Sequence, residues 1–148
     1  MSSPVRVSQS VQIDKPPADV WTAIADYSFD YKWRRGLKDM TPDPPGPPAP
    51  GTKVHEVLRS PGRDFVAEIE VTEVDPGVSY RFRGAGTMGG LAGGRSVHAN
   101  GAGSVFTYEV EVDPKGAMRL LRPVLGSMVA SRLKQDLSTL KALLESDG

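Results

Sequence analysis

Apolar and polar residues alternate at the start of the chain: Val5, Val7, Val11 and Ile13 are separated by Arg6, Ser8, Ser10 and Gln12, with Gln9 the one interruption. A period of two predicts a half-buried strand, ending at Asp14. Pro16 and Pro17 then fix φ for a first helical turn and Asp19 sets a negative charge near the helix N-terminus. Val20, Trp21 and Ile24 share one face of this helix, which should run to about Asp26. Ser28 reads as the N-cap of a second short helix, with Lys32, Arg34 and Arg35 complementing its dipole before Gly36 ends it.

Between Thr41 and Gly51 the chain carries Pro42, Pro44, Pro45, Pro47, Pro48 and Pro50, which removes too many donors for regular structure and predicts a stiff, solvated loop. Strands are expected over Thr52 to Ser60, Asp64 to Asp75 and Val78 to Arg83, turned at Pro61-Gly62 and Pro76-Gly77. Phe65, Ala67, Ile69 and Val71 alternate with Glu68, Glu70 and Thr72, so one face of that strand is buried and the other wet. A glycine-rich stretch from Gly84 to Gly94 reads as a flexible connection, and strands follow over Arg95 to Asn100 and Ser104 to Val112. Connections this short favour an antiparallel meander.

The last segment is a long amphipathic helix with Pro123 in its first turn, running to about Ser146. Leu121, Leu125 and Met128 form an early stripe, and Leu133, Leu137, Leu140 and Leu144 a later one rotated by about 100°. Two stripes imply two kinds of contact. The later half is expected to pack on the sheet, while the earlier half, with small Gly126, Ala130 and Ser131, roofs a cavity. The order points to an α+β fold: a curved antiparallel sheet wrapped around a long C-terminal helix, with two short helices after the first strand. A sheet that cannot close on a helix along its whole length leaves an apolar hollow.

Composition narrows the partner. The 148 residues suit one domain over 1–148, and 18 Lys plus Arg balance 18 Asp plus Glu, so no global field draws nucleic acid or an anionic bilayer. The absence of cysteine excludes disulfides, thiolate metal sites and a cysteine nucleophile. No run is apolar and long enough for a membrane span and the N-terminus has no basic, then apolar, leader, so a cytoplasmic protein without membrane insertion is expected. Gly84-Ala85-Gly86-Thr87-Met88-Gly89 matches a dinucleotide fingerprint in letters, but Gly90, Gly93 and Gly94 would break the helix such a loop requires. Neither Gly126-Ser127-Met128 nor Gly103-Ser104-Val105 has the frame of a serine nucleophile.

Four stretches carry a family likeness: Ile13-Asp14-Lys15-Pro16-Pro17-Ala18-Asp19-Val20-Trp21, Lys32-Trp33-Arg34-Arg35-Gly36-Leu37, Val71-Thr72-Glu73-Val74-Asp75-Pro76-Gly77 and Leu140-Lys141-Ala142-Leu143-Leu144-Glu145. With the element order, they make the chain resemble the helix-grip superfamily of START-like, or SRPBCC, proteins, and within it the polyketide cyclase/dehydratase-like group. The resemblance implies the fold described above and a cavity for a small hydrophobic ligand, lipid-like or polyketide-like. Its aromatase/cyclase members suggest an aromatic-rich run with basic and histidine residues on the middle strands, where this chain has Phe65, Tyr80 and Phe82 as its aromatics.

The leading expectation is therefore small-ligand binding, with Phe65, Phe82, Phe106, Tyr108, Leu125 and Met128 as apolar wall and Tyr80, Arg95 or His98 as orienting contacts. Met88 belongs to an entrance loop, and Trp33 either lines the cavity mouth or packs in the core. The second reading is a cyclase- or dehydratase-type enzyme. His55 and His98 are its candidate bases, with Tyr80, Tyr108 or Arg95 polarising a carbonyl. His55 shares its strand face with Val57 but also with Lys53 and Arg59, and His98 lies with Ser96 and Asn100, so surface positions compete for both. A third reading is a protein-interaction or chaperone-linked module, which would show a filled groove and an exposed apolar patch. No metal or cofactor is called for, since two histidines without a carboxylate at ligand spacing make no site.

Overall fold

The computed structural model describes residues 3–146. Strand β1 (Val5–Ile13) is followed by helix α1 (Pro17–Ile24), a 3-10 turn over Tyr27–Phe29 and the one-turn helix α2 (Asp30–Trp33). Six strands come next, β2 (Leu37–Asp43), β3 (Lys53–Ser60), β4 (Arg63–Asp75), β5 (Ser79–Gly86), β6 (Gly89–Asn100) and β7 (Gly103–Pro114). A 3-10 segment over Gly116–Leu121 leads into the closing helix α3 (Arg122–Glu145). All seven strands form one antiparallel sheet in the order β1-β7-β6-β5-β4-β3-β2, so every neighbour pair except β1·β7 is sequential in the chain. This is the helix-grip architecture.

Three local expectations change. The second helical segment is capped by Asp26, whose Oδ1 accepts from the Ser28 N–H at 3.0 Å and from its hydroxyl at 2.6 Å; Ser28 is the guest of the cap, not its source. The stretch assigned wholly to a loop begins inside β2, because an edge strand needs donors on one side only and Pro42 is tolerated there. Tyr31 covers part of this edge: its hydroxyl accepts from the Met40 N–H at 2.8 Å. The glycine-rich stretch, finally, is two paired strands joined by a tight turn at Thr87-Met88. A Cβ at Gly84 or Gly93 would collide with the carbonyl oxygen of Glu68 or Glu109, so glycine permits a bend that no side chain would.

The core divides along α3. Its later residues Leu133, Leu137 and Leu140 pack with Ile13, Val20, Ile24, Val97 and Phe106 into a close-filled mass. Polar locks hold that end: Lys141 Nζ donates to the Gln12 carbonyl at 2.7 Å, and Glu145 accepts from the Asp14 N–H at 2.8 Å. The earlier half rests on a smaller cluster of Val112, Met118 and Leu125. Met128, expected to face the cavity as part of a buried stripe, is 48 % exposed and lies at its rim.

Candidate functional site

Period-two geometry decides which side chains reach the hollow. On the concave face β3 presents Glu56 and Leu58, β4 presents Phe65 and Ile69, β5 presents Phe82, and β7 presents Tyr108, Val110 and Val112. The first half of α3 forms the opposite wall through Leu125, Val129, Arg132 and Asp136. Between them lies a cavity of ≈ 190 Å³. Gly84, Gly86 and Gly93 continue the concave rows of β5 and β6, where a Cβ would run into the backbone of the neighbouring strand.

The cavity has a chemical gradient. Toward Met88, Met118 and Leu125 it is apolar; toward α2 it meets Arg34, Glu56, Tyr108, Arg132 and Asp136. Behind that polar end sits a buried charge network. Asp30, fully buried, accepts from both terminal nitrogens of Arg95 at 3.0 and 2.6 Å, a bidentate pair, and from Arg34 at 3.4 Å. Arg34 also pairs with Glu56, and Arg95 donates to the Ile24 carbonyl at 3.1 Å and, more weakly, to the Tyr108 hydroxyl at 3.4 Å. Burial opposes the charge on Arg95, but Asp30, Tyr80 and Tyr108 outweigh it and hold its pKa well above the ordinary value. Burial pushes the Tyr27 phenol up to about 12 and the Tyr80 phenol upward, so both stay uncharged, and the Tyr80 hydroxyl donates to the Ile24 carbonyl.

Asp136 is a buried carboxyl in the lining of the site. It is 4 % exposed, and its Oδ1 accepts from the Arg35 N–H at 3.1 Å. Burial raises its pKa against the pull of that hydrogen bond and of Arg34 and Arg132. Arg132 gives one terminal nitrogen to the Arg35 carbonyl, while its Nε is buried without a partner among the described residues. Sequence reasoning singled out neither residue. A signal was present, since Asp136 interrupts the apolar stripe of Leu133, Leu137 and Leu140.

Of the residues named from sequence, the structure gathers Phe65, Phe82, Met88, Tyr108, Leu125 and Met128 around the cavity. Four others lie behind its wall. Trp33 is buried edge-to-face against Phe106 and Tyr108, with ring centroids 6.1 and 6.2 Å apart, which is the core-packing alternative. Phe106 belongs to that same mass, Tyr80 points to the Ile24 carbonyl at 3.2 Å, and Arg95 is enclosed by Asp30 and the faces of Trp33 and Tyr108. Arg95 thus reaches the cavity only indirectly, through Tyr108 and through Asp30 and Arg34.

His55 and His98 are corrected outright as cavity residues. Each sits at the parity opposite to its strand's inward row, so both point to the convex face, His98 exposed and His55 partly so. Nδ1 of His55 pairs with Glu68, and Nε2 stands 3.8 Å from Asp39. The hydrogen bond to Glu68 raises its pKa, a surface effect with no path to the cavity. Among the described residues no three His, Asp or Glu side chains are grouped to hold a metal ion.

Residues 4–145 match the family model described as polyketide cyclase / dehydrase and lipid transport. The chain belongs to that family. The polyketide cyclase/dehydrase fold is also seen in solved structures. The protein TTHA0849 from Thermus thermophilus aligns with a TM-score of 0.81 at 16 % identity, covering 97 % of this chain and 99 % of that one. The Zhui aromatase/cyclase from Streptomyces sp. R1128 aligns at 0.80 and 14 %, covering 97 % and 94 %. The di-domain StfQ of the steffimycin pathway aligns at 0.74 and 13 %, covering 97 % of this chain and 51 % of its own. No curated protein matches the sequence. At these identities the likeness is one of fold.

Proposed function

We propose that this polyketide cyclase/dehydrase family member binds a small, mostly apolar molecule with an oxygen function at one end, held between the concave sheet and the first half of α3. The observation that carries the reading is the ≈ 190 Å³ hollow with mostly apolar walls and a polar end at Arg34, Glu56, Tyr108, Arg132 and Asp136. A dry cavity of about 150 Å³ takes up benzene, so a one- or two-ring compound fits inside and a longer chain would extend past Met128. Burying ~200 Å² of apolar ligand surface contributes about 5 kcal/mol before ordering costs, so apolar contact sets affinity and the polar end sets orientation.

The test is displacement of anilinonaphthalene sulfonate, together with native mass spectrometry of protein recovered from cell extract. Binding of the probe, loss of it in Val129→Phe and a co-purifying apolar compound support the reading. A bare protein indifferent to a panel of lipids and aromatic compounds overturns it.

A second reading, cyclase or dehydratase chemistry, draws support from Asp136. A carboxyl whose pKa burial raises, at the polar end of the cavity, has the character of a general acid. This replaces the histidine base expected from sequence. Turnover of an aromatic polyketide-like substrate that Asp136→Asn abolishes without weakening binding would establish it.

A further inference from the structure

The zero net charge hides a segregation. Between Asp113 and Asp136 the chain carries Lys115, Arg119, Arg122, Arg132 and Lys134 and not one carboxylate. The same segment gathers exposed apolar side chains: Leu120 is 83 % exposed, and Leu121, Val124 and Met128 stand open at helical spacing beside it. Such a patch is unusual on a surface that faces only water. Its last member, Met128, is also on the rim of the cavity, and Met118 at the base of the 3-10 segment lines it. Lys115 is paired with Asp113 at 3.3 Å, whereas Arg119 has no ion-pair partner among the described residues. Arg122 spends one terminal nitrogen on the Ser3 carbonyl and keeps its charge.

From this arrangement we propose that the corner formed by Gly116–Leu121 and the first turns of α3 docks on an anionic lipid surface, seating the cavity mouth at the bilayer. The charge pattern favours an anionic bilayer: Leu120 is 83 % exposed on a segment that carries Lys115, Arg119 and Arg122 and no carboxylate, and apolar side chains among cations are what the headgroup boundary accommodates. A second copy of the chain would bring cations against cations. The contact lies on the membrane and does not span it; no described helix is long and apolar enough to cross one. The inference rests on the ligand-binding reading only for what would pass through the mouth.

Flotation of the full chain tests it, with vesicles of phosphatidylcholine alone and of phosphatidylcholine with an equal amount of phosphatidylglycerol. The chain is expected to float with the mixed vesicles, not with the neutral ones, and to be released as salt is raised. Leu120→Glu should weaken the association roughly tenfold or more by removing the leucine that the bilayer would bury, and Arg119→Glu roughly thirtyfold by changing two units of charge. No flotation, equal flotation with both vesicles, or an unchanged Leu120→Glu variant overturns the proposal; the first result would leave an acidic protein partner as the occupant. Neither residue lines the cavity, so both variants keep anilinonaphthalene sulfonate binding if the ligand reading holds. Vesicle binding in a protein that ignores the probe would sink that reading and leave this one standing.

Discussion

The two halves of α3 rest on the same sheet and meet it in opposite ways. Around Leu133, Leu137 and Leu140 the space is filled by Phe106, Trp33 and Ile24, and behind them a buried carboxylate is paired with two guanidiniums. Around Leu125 and Val129 the helix stands off, and a hollow separates it from Phe65, Phe82 and Val110 on the sheet. The difference teaches where stability and function are separated: one end holds the grip, the other end is free to be hollow.

The largest expected effect lies in the packed end. Asp30→Ala should destabilise the protein by about 3–5 kcal/mol in urea unfolding, because it leaves Arg95 buried without its counter-charge. The paired replacement Asp30→Leu with Arg95→Met should recover much of that loss. Leu137→Ala should cost about 2–5 kcal/mol, whereas Met128→Ala, at the rim, should stay within ~0.5 kcal/mol. Equal costs for Leu137 and Met128 would erase the distinction between the two ends. Val129→Phe, which extends into the hollow, should change stability by less than about 1.5 kcal/mol while removing probe binding.

Smaller still are the pH effects. Burial raises the Asp136 pKa, so its contribution to stability is complete below the ordinary carboxylate range and fades as pH rises through the raised value. Asp136→Asn keeps the acceptor for Arg35 and should flatten that decline, leaving the variant the more stable at neutral pH in thermal melts. For His55, Glu68 raises the pKa, so its contribution is present below the ordinary imidazole value and disappears as pH rises through the raised one. His55→Ala should show a slight loss in acid and none in base, and His98→Ala should remain within ~0.5 kcal/mol with binding unchanged.

The outline of this fold was legible because strands β1, β4 and β7 and helix α3 announce themselves by period. Where the period is masked, the reading failed for a physical cause. Proline hid β2, since a missing donor is harmless on an open edge; glycine hid the ends of β5 and β6, since a strand without side chains has no alternation to read. The apolar wall could be anticipated from parity, and parity also sends His55 and His98 outward once the inward rows are fixed by Val54 and Val97. The polar end could not be assembled in the same way. Asp30, Arg34, Glu56, Arg95 and Asp136 come from separate stretches of the chain, and only the fold brings them together.

The outer border of β2 carries one last implication. Pro42 offers no hydrogen there, and the Tyr31 hydroxyl already occupies the amide of Met40. A foreign strand arriving at this side would find few free partners with which to continue the ladder. The same proline that disguises the strand in the sequence discourages the sheet from growing at this edge.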